Sequence, residues 1–165
     1  MHTIRGLPFP DDLWYDVEEK LWLRCESDGT VTIGITPYAC ALVGDIYYFT
    51  PKRPGYVFAR RESIGVVEMA KTVQVVHAPL AGVIVANNED ATAKTCAINR
   101  DPYGRAWCVR VRPTAWDADR VQLVTGDAVC AAIEADMDIN RWTGSEAARP
   151  PENEAMPPDP SRAGY

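Results

Sequence analysis

Through the first two-thirds of the chain, apolar residues alternate with polar ones over short runs, and Gly, Pro, Asn or Asp cuts each run; this is the pattern of short strands joined by turns. The clearest unit is Leu21-Trp22-Leu23-Arg24-Cys25, then Ser27-Asp28-Gly29, then Val31-Thr32-Ile33-Gly34-Ile35. Asp-Gly takes the positive φ angles that a hairpin turn needs, so these runs should pair, with Val31, Ile33 and Ile35 on a core-lining face. Thr36-Pro37 through Gly44 predicts a short helix, with Thr36 as N-cap, Pro37 at the first helical position and Gly44 beyond the C-terminus. Further strands are expected at Ile46–Thr50, Ser63–Met69, Val73–His77, Gly82–Asn87 and Ala106–Arg112. In the last, Trp107, Val109 and Val111 should face the core, and Cys108, Arg110 and Arg112 the solvent.

After Pro113 the period changes to about 3.6 residues. Val121, Leu123 and Val124 suggest a brief helix, Thr125-Gly126-Asp127 a break, and Val129, Ile133 and Met137 the apolar stripe of a second helix. Residues 143–165 hold five of the thirteen prolines and almost nothing large and apolar. The expectation is one domain over residues 1–142 and a disordered Pro-rich tail over 143–165.

Composition narrows the function. With 165 residues, 47% of them apolar, the chain can bury a core without a metal or disulfides. Its net charge of −6 argues against nucleic acid, so protein partners are expected. Five cysteines, an odd number with no C-x-x-C, make neither a disulfide framework nor a metal knuckle. The opening residues lack the apolar stretch of a signal peptide and no run is long enough to span a membrane, which implies the cytoplasm.

Lysine is scarce: Lys20, Lys52, Lys71 and Lys94, against thirteen arginines. Lys71 lies between two apolar β-like runs, Ile64 to Ala70 and Thr72 to Val76, where an inward ammonium would be expensive. A turn beside Ala70-Lys71 would join the runs as a hairpin and present the amine at its tip, on a mobile four-carbon stem that a modifying enzyme can reach. Lys94, in a polar loop after Asn88-Glu89-Asp90, is the competing acceptor, but it lacks a symmetric pair of strands.

Several motifs occur in the order seen in the H-protein family of lipoyl carriers: Gly34-Ile35-Thr36-Pro37-Tyr38-Ala39, Gly44-Asp45-Ile46, Glu62-Ser63, Val67 to Lys71, Ala78 to Gly82 and Asn99 to Trp107. The chain resembles that family over roughly residues 13–140. The resemblance implies a mainly β fold with C-terminal helices, a lipoyl-domain (barrel-sandwich hybrid) flattened β-barrel, with the lipoyl lysine on a hairpin tip. It implies lipoate in amide linkage to Lys71, and recognition of Glu68 and Gly82 by a lipoate ligase or lipoyl transferase. A lysine amine at neutral pH is nearly all ammonium and a poor nucleophile, so acylation needs that external enzyme and an activated lipoate. The protein would then be a small monomeric carrier shared among enzymes, with no catalytic residue of its own and no metal.

Two roles are open within that class. Glycine cleavage H-proteins have a His-Glu-Trp near the first strand, and here the stretch is Lys20-Leu21-Trp22. The common Glu-Ser-Val-Lys-Ala becomes Glu68-Met69-Ala70-Lys71-Thr72. The opening Arg5 to Val17 is instead similar to the lipoate-binding proteins of bacterial sulfur oxidation, which implies a heterodisulfide-reductase-like complex as partner and favours that role. The alternative is an H-protein that carries an aminomethyl group among the glycine cleavage enzymes.

Other residues have ordinary readings beside sharper ones. Glu68 could be a plain strand carboxylate, and Gly82 a bulge or close approach of backbones. Cys40 and Cys108 invite a sulfur-handling role, but free thiols are commonly buried and inert. His2 and His77 have no further ligands at metal spacing. Asp101-Pro102-Tyr103-Gly104 reads as a turn, followed by Trp107 as an anchor. Lys52-Arg53 with Arg60-Arg61 is either a docking patch for an acidic surface or a solvated rim.

Overall fold

The computed structural model describes residues 1–93 and 97–144. Lys94, Cys96 and nearly all of the expected tail lie outside the described residues. In chain order the elements are β1 (His2–Ile4), β2 (Leu7–Phe9), β3 (Trp14–Asp16), β4 (Leu21–Cys25), β5 (Val31–Ile35), α1 (Pro37–Val43), β6 (Ile46–Pro51), β7 (Val57–Phe58), β8 (Ser63–Met69) and β9 (Val73–His77). They continue with β10 (Gly82–Asn87), α2 (Glu89–Ala93), α3 (Ala97–Arg100), β11 (Val109–Pro113), α4 (Trp116–Asp119), a 3-10 turn (Arg120–Gln122), β12 (Val124–Thr125) and α5 (Ala128–Ile139). No helix among the described residues is long and apolar enough to cross a membrane.

A seven-stranded sheet, in the order β12-β3-β4-β5-β11-β10-β7, packs over a three-stranded sheet, β6-β8-β9. Leu23, Ile33, Ile84 and Val111 from the first meet Phe49, Ile64, Val67 and Val76 from the second in one apolar cluster. The mainly β fold read from the sequence is therefore present. The strand ladders form separate sheets rather than one continuous cylinder, which is consistent with a flattened barrel or sandwich. Backbone bonds between turns seal the corners: Gly55 N–H donates to the Ile84 carbonyl (2.7 Å), and Ala78 N–H to that of Glu62 (2.7 Å).

The β4–β5 hairpin forms as its sequence predicts, with Cys25 opposite Val31 and Leu21 opposite Ile35. Gly29 adopts φ +83°, and Glu26 N–H closes the turn on the Thr30 carbonyl at 2.8 Å. Both faces of β5 are buried, however. Val31, Ile33 and Ile35 face the inter-sheet core, while Gly34 lies under the Trp22 indole, which a Cβ there would overlap. Trp22 belongs to a second apolar cluster, with Phe9, Tyr38, Val129, Ile133, Met137 and Trp142, formed by the β1–β2 hairpin and α5. The predicted stripe of α5 thus packs on the outer side of β4 and β5.

Helix α1 is capped as expected: Thr36 Oγ1 accepts from Ala39 N–H at 3.3 Å, and Gly44 ends it at φ +85°. Two expectations are corrected. Residues 106–108 precede β11, because Asn88 Nδ2 donates to the carbonyls of Arg105 and Trp107, at 2.6 Å each, and takes them out of the ladder. The alternation breaks there, and Cys108 joins Val109 in the core instead of facing water, while Trp107 packs half-buried against the second cluster. Val124 is not helical either: β12 pairs with β3, placing Val124 opposite Tyr15, and Val121 on the 3-10 turn is largely exposed. A long-range strand partner outweighed the local apolar spacing.

Candidate functional site

Strands β8 and β9 form the second long hairpin, pairing from Ser63 with His77 to Glu68 with Val73. Met69 N–H donates to the Thr72 carbonyl at 2.9 Å, so Ala70, Lys71 and Thr72 make the bend, and all three are exposed. Below them Val67, Met69 and Val76 are buried in the inter-sheet core. That anchorage makes the tip a fixed platform, and the lysine stem is the mobile part. Glu68 is half-buried three residues before Lys71, between Tyr48 on β6 and Val73 on β9. Gly82 is buried where β10 crosses between Pro113 and Phe58, and a Cβ there would come within 2.5 Å of the Arg112 carbonyl oxygen. That close approach is itself a sufficient reason for glycine at this position.

A groove of about 380 Å³ runs beside the same hairpin. One wall is Val67, Gln74, Val75 and Val76 of β8 and β9; the other is Leu21, Ile35, Ala39, Leu42, Val43 and Ile46. Its polar end holds Glu18, Glu19, Lys20 and Asn140. Lys20 stands at φ +58°, and its carbonyl takes both the N–H (3.0 Å) and the hydroxyl (2.9 Å) of Thr36. Its Nζ lies 3.4 Å from Asp136 Oδ2 and above the Tyr38 ring. Asn140 Nδ2 donates to Asp136 Oδ2 (3.0 Å) and to the Tyr38 hydroxyl (3.3 Å).

Beside this end, Arg61 Nη1 is 3.1 Å from Asp16 Oδ2 and 3.5 Å from Glu19 Oε1, and Nη2 is 3.2 Å from Glu18 Oε2. His77 Nδ1 is 3.2 Å from Glu19 Oε2, which ties the base of β9 to the β3–β4 turn. Burial pushes the Asp16 carboxyl above the usual carboxylate range, against the pull of the Glu19 N–H and Arg61. Arg61 is thus committed to this network, so the expected basic patch of Lys52-Arg53 and Arg60-Arg61 is not a free cationic surface at that residue.

The thiols offer little reactivity. Burial pushes both Cys40 and Cys108 up to about 12, leaving almost no thiolate near neutral pH. Asp101–Gly104 is a turn, as expected: Gly104 N–H donates to the Asp101 carbonyl at 3.3 Å. Its Pro102 carbonyl accepts from Trp22 Nε1 at 2.9 Å, and the Tyr103 hydroxyl donates to the Pro8 carbonyl at 2.8 Å. The sequence reading found the hairpin and its lysine but missed Glu18, Glu19, Asn140 and the Arg61 network. The signal available was the Glu18-Glu19-Lys20 run directly before Leu21-Trp22.

An exposed lysine at the bend of a core-anchored hairpin, with an aliphatic groove along the hairpin's strands, is the geometry of a scaffold that presents a side chain, as carrier proteins do. Residues 13–136 match the model of the family described as Glycine cleavage H-protein, and the chain belongs to that family. Among similar proteins, Glycine cleavage system H protein 2 of Aquifex aeolicus is 36% identical over 123 residues, covering 74% of this chain and 76% of the relative. The Glycine cleavage system H protein of Neisseria meningitidis serogroup B is 40% identical over 125 residues, 76% of this chain and 96% of the relative. The crystal structure of a glycine cleavage system H protein from Mycobacterium marinum has a TM-score of 0.60 at 35% identity, over 65% of this chain and 87% of that one. Proteins of this family carry lipoate covalently on a lysine and serve as carriers rather than catalysts. The glycine cleavage names agree with the alternative of the two roles above rather than with the favoured sulfur oxidation.

Proposed function

We infer that Lys71 is the lipoyl attachment site and that the protein is the H-protein of a glycine cleavage system, carrying an aminomethyl group among its enzymes. The observation that carries this reading is the exposed Ala70-Lys71-Thr72 bend, held on buried β8 and β9 within a chain that matches the H-protein family over residues 13–136. The residues fit the group. Lys71 offers its amine to solvent for amide formation, which removes the positive charge, and the aliphatic groove beside β9 offers the resulting chain a sheltered surface.

When bound, lipoate would supply a cyclic disulfide, one sulfur of which can take up an attacking group while the other leaves as a thiol. The chain's own residues present and shelter that group. Val67, Met69 and Val76 anchor the hairpin in the core, and Glu68, three residues before Lys71, is the side chain that would contact a lipoate ligase or lipoyl transferase. Gly82 serves by letting β10 pass close to Arg112, so its part in recognition is to hold the platform in shape.

A second reading, sulfur transport to a heterodisulfide-reductase-like complex, is favoured by one observation. Lys20 and Leu21, where the sequence departs from His-Glu-Trp, both line the groove, so a glutamate side chain is replaced by a hydrocarbon one there. One experiment separates the readings. Lipoylated protein is incubated with the glycine-decarboxylating enzyme and glycine, and separately with persulfide donors and host extract, then followed by intact mass and peptide mapping. An aminomethyl increment on the Lys71 peptide is expected. A sulfur increment without it would transfer the protein to the second role, and no lipoyl mass in wild type, or its persistence in Lys71→Arg, would overturn the site.

A further inference from the structure

The basic surface expected at residues 52–61 is partly consumed by ion pairs, yet the fold assembles a different one from residues far apart in sequence. Arg24 on β4 and Arg110 on β11 both lie opposite Thr32 of the central strand β5. They alternate with Leu23 and Val109, which face the inter-sheet core, so they project from the opposite face of the seven-stranded sheet, away from the sheet that bears Lys71. Each guanidinium lies over an indole: Arg24 5.5 Å from the Trp22 ring centre, Arg110 5.2 Å from that of Trp107. Exposed Arg112 extends the row along β11.

The Nε atoms are held inward. Arg24 Nε is 3.0 Å from Glu26 Oε1, and Arg110 Nε donates to Thr32 Oγ1 at 3.3 Å, while Thr32 donates to Glu26 at 2.6 Å. Two carboxylates face the row. Glu26 is hydrogen-bonded by Arg24 and Thr32 and also faces Arg110, while Asp28, hydrogen-bonded by the N–H and hydroxyl of Thr30, faces Arg110 and Arg112, so the three cations exceed these two carboxylates by one charge. Among the described residues the terminal nitrogens of Arg110 and Arg112 have no hydrogen-bond partner. Indole stacking and a fixed Nε pre-orient the Arg24 and Arg110 forks for planar oxyanions, with Arg24 Nη1 also reaching the Tyr103 carbonyl at 3.5 Å, so little side-chain entropy is left to lose on binding. That such a row persists in a chain of net charge −6 sets it apart from the general surface.

We propose that the Arg24, Arg110 and Arg112 face is a docking surface for an acidic, extended segment of a partner protein. Two strand spacings separate the Arg24 and Arg110 backbones by roughly 9–10 Å, and acidic residues two or four apart share one face of an extended segment about 7 or about 13 Å apart, a difference that the long arginine and glutamate side chains span. Charge complementarity commits the occupant to carboxylates; a nucleic acid would be repelled by the rest of the acidic surface. A partner held here leaves Lys71 free on the far sheet, so docking is independent of the state of the arm. The proposal goes beyond the carrier reading and does not rest on it.

The test is a titration of the ¹⁵N-labelled full chain with a hexaglutamate peptide at low salt, following the side-chain signals of Arg24, Arg110, Trp22 and Trp107. Saturable shifts of these four are expected, with binding weakened about tenfold in Arg110→Gln, a loss of one charge-assisted pair. Arg112→Gln, at an exposed position, should weaken it by a smaller factor, and Lys71→Arg and Lys52→Gln should bind as wild type. Unmoved signals, equal weakening by Lys52→Gln, or tighter binding of a short oligothymidine than of the peptide would overturn the proposal. If Arg110→Gln does not fold, an unchanged affinity in Arg112→Gln would do the same.

Discussion

Two hairpins of similar length have opposite fates in this fold. The β4–β5 hairpin turns through a glycine at positive φ and is enclosed, with the inter-sheet core on one face of β5 and Trp22 on the other. The β8–β9 hairpin bends through Ala70, Lys71 and Thr72, none at positive φ, and buries the core side of β8 as far as Met69 while leaving β9 largely open; Val73 is 60% and Val75 46% exposed on the edge strand. The first builds the protein and the second presents a side chain from it. A carrier needs both, because a reactive arm is useful only on a platform that stays put when the arm moves.

The largest separation between the hairpins is expected from Lys71→Arg. The substitution should abolish lipoylation, read by intact mass, while stability moves within about 0.5 kcal/mol, because the side chain is exposed. Ile33→Ala does the reverse. It should cost about 2–5 kcal/mol in denaturant unfolding, through lost burial and a residual cavity, and leave lipoylation of the folded fraction intact. Gly34→Ala tests the second enclosed face: driving a methyl group into the Trp22 indole should cost about 1–3 kcal/mol and perturb tryptophan fluorescence.

The turns differ in acid as well. In the first, hydrogen bonding from the Thr32 hydroxyl, seconded by Arg24, holds the Glu26 carboxyl below the usual carboxylate range; the second bend has no carboxylate. A depressed carboxyl binds fewer protons folded than unfolded, so its stabilisation is present above its ordinary value near 4.5 and is lost as pH falls through the depressed one. Glu26→Gln should therefore flatten the acid-side fall in stability measured by unfolding below about pH 4.5. The smallest effect belongs to Val75→Ala on the exposed edge, about 0.5 kcal/mol or less by the same unfolding assay. A cost as large as that of Ile33→Ala would erase the contrast between the hairpins.

What could be read from one sequence divides along the same line. Both hairpins, the capped helix α1 and the stripe of α5 were legible, since strand period, turn glycine, N-cap and helical spacing are set by residues within a few positions of one another. Lys71 was legible as the tip of its hairpin for the same reason. Its assignment to lipoate came from the order of surrounding motifs, not from spacing.

Contacts between distant residues were not legible. Asn88 took the carbonyls of residues 105 and 107 and delayed β11, Tyr15 drew Val124 into a strand, and Cys108 turned inward. The polar end of the groove joins Lys20 to Asp136 and Asn140, and Arg24 meets Arg110 only because β5 lies between them. The sequence by itself determined the local elements and the lysine that one of them offers, because local backbone and side-chain preferences decide those. Only the tertiary structure decided which faces are enclosed, which cations are already paired and which remain available, because burial and electrostatic pairing depend on partners that the chain brings together from a hundred residues away.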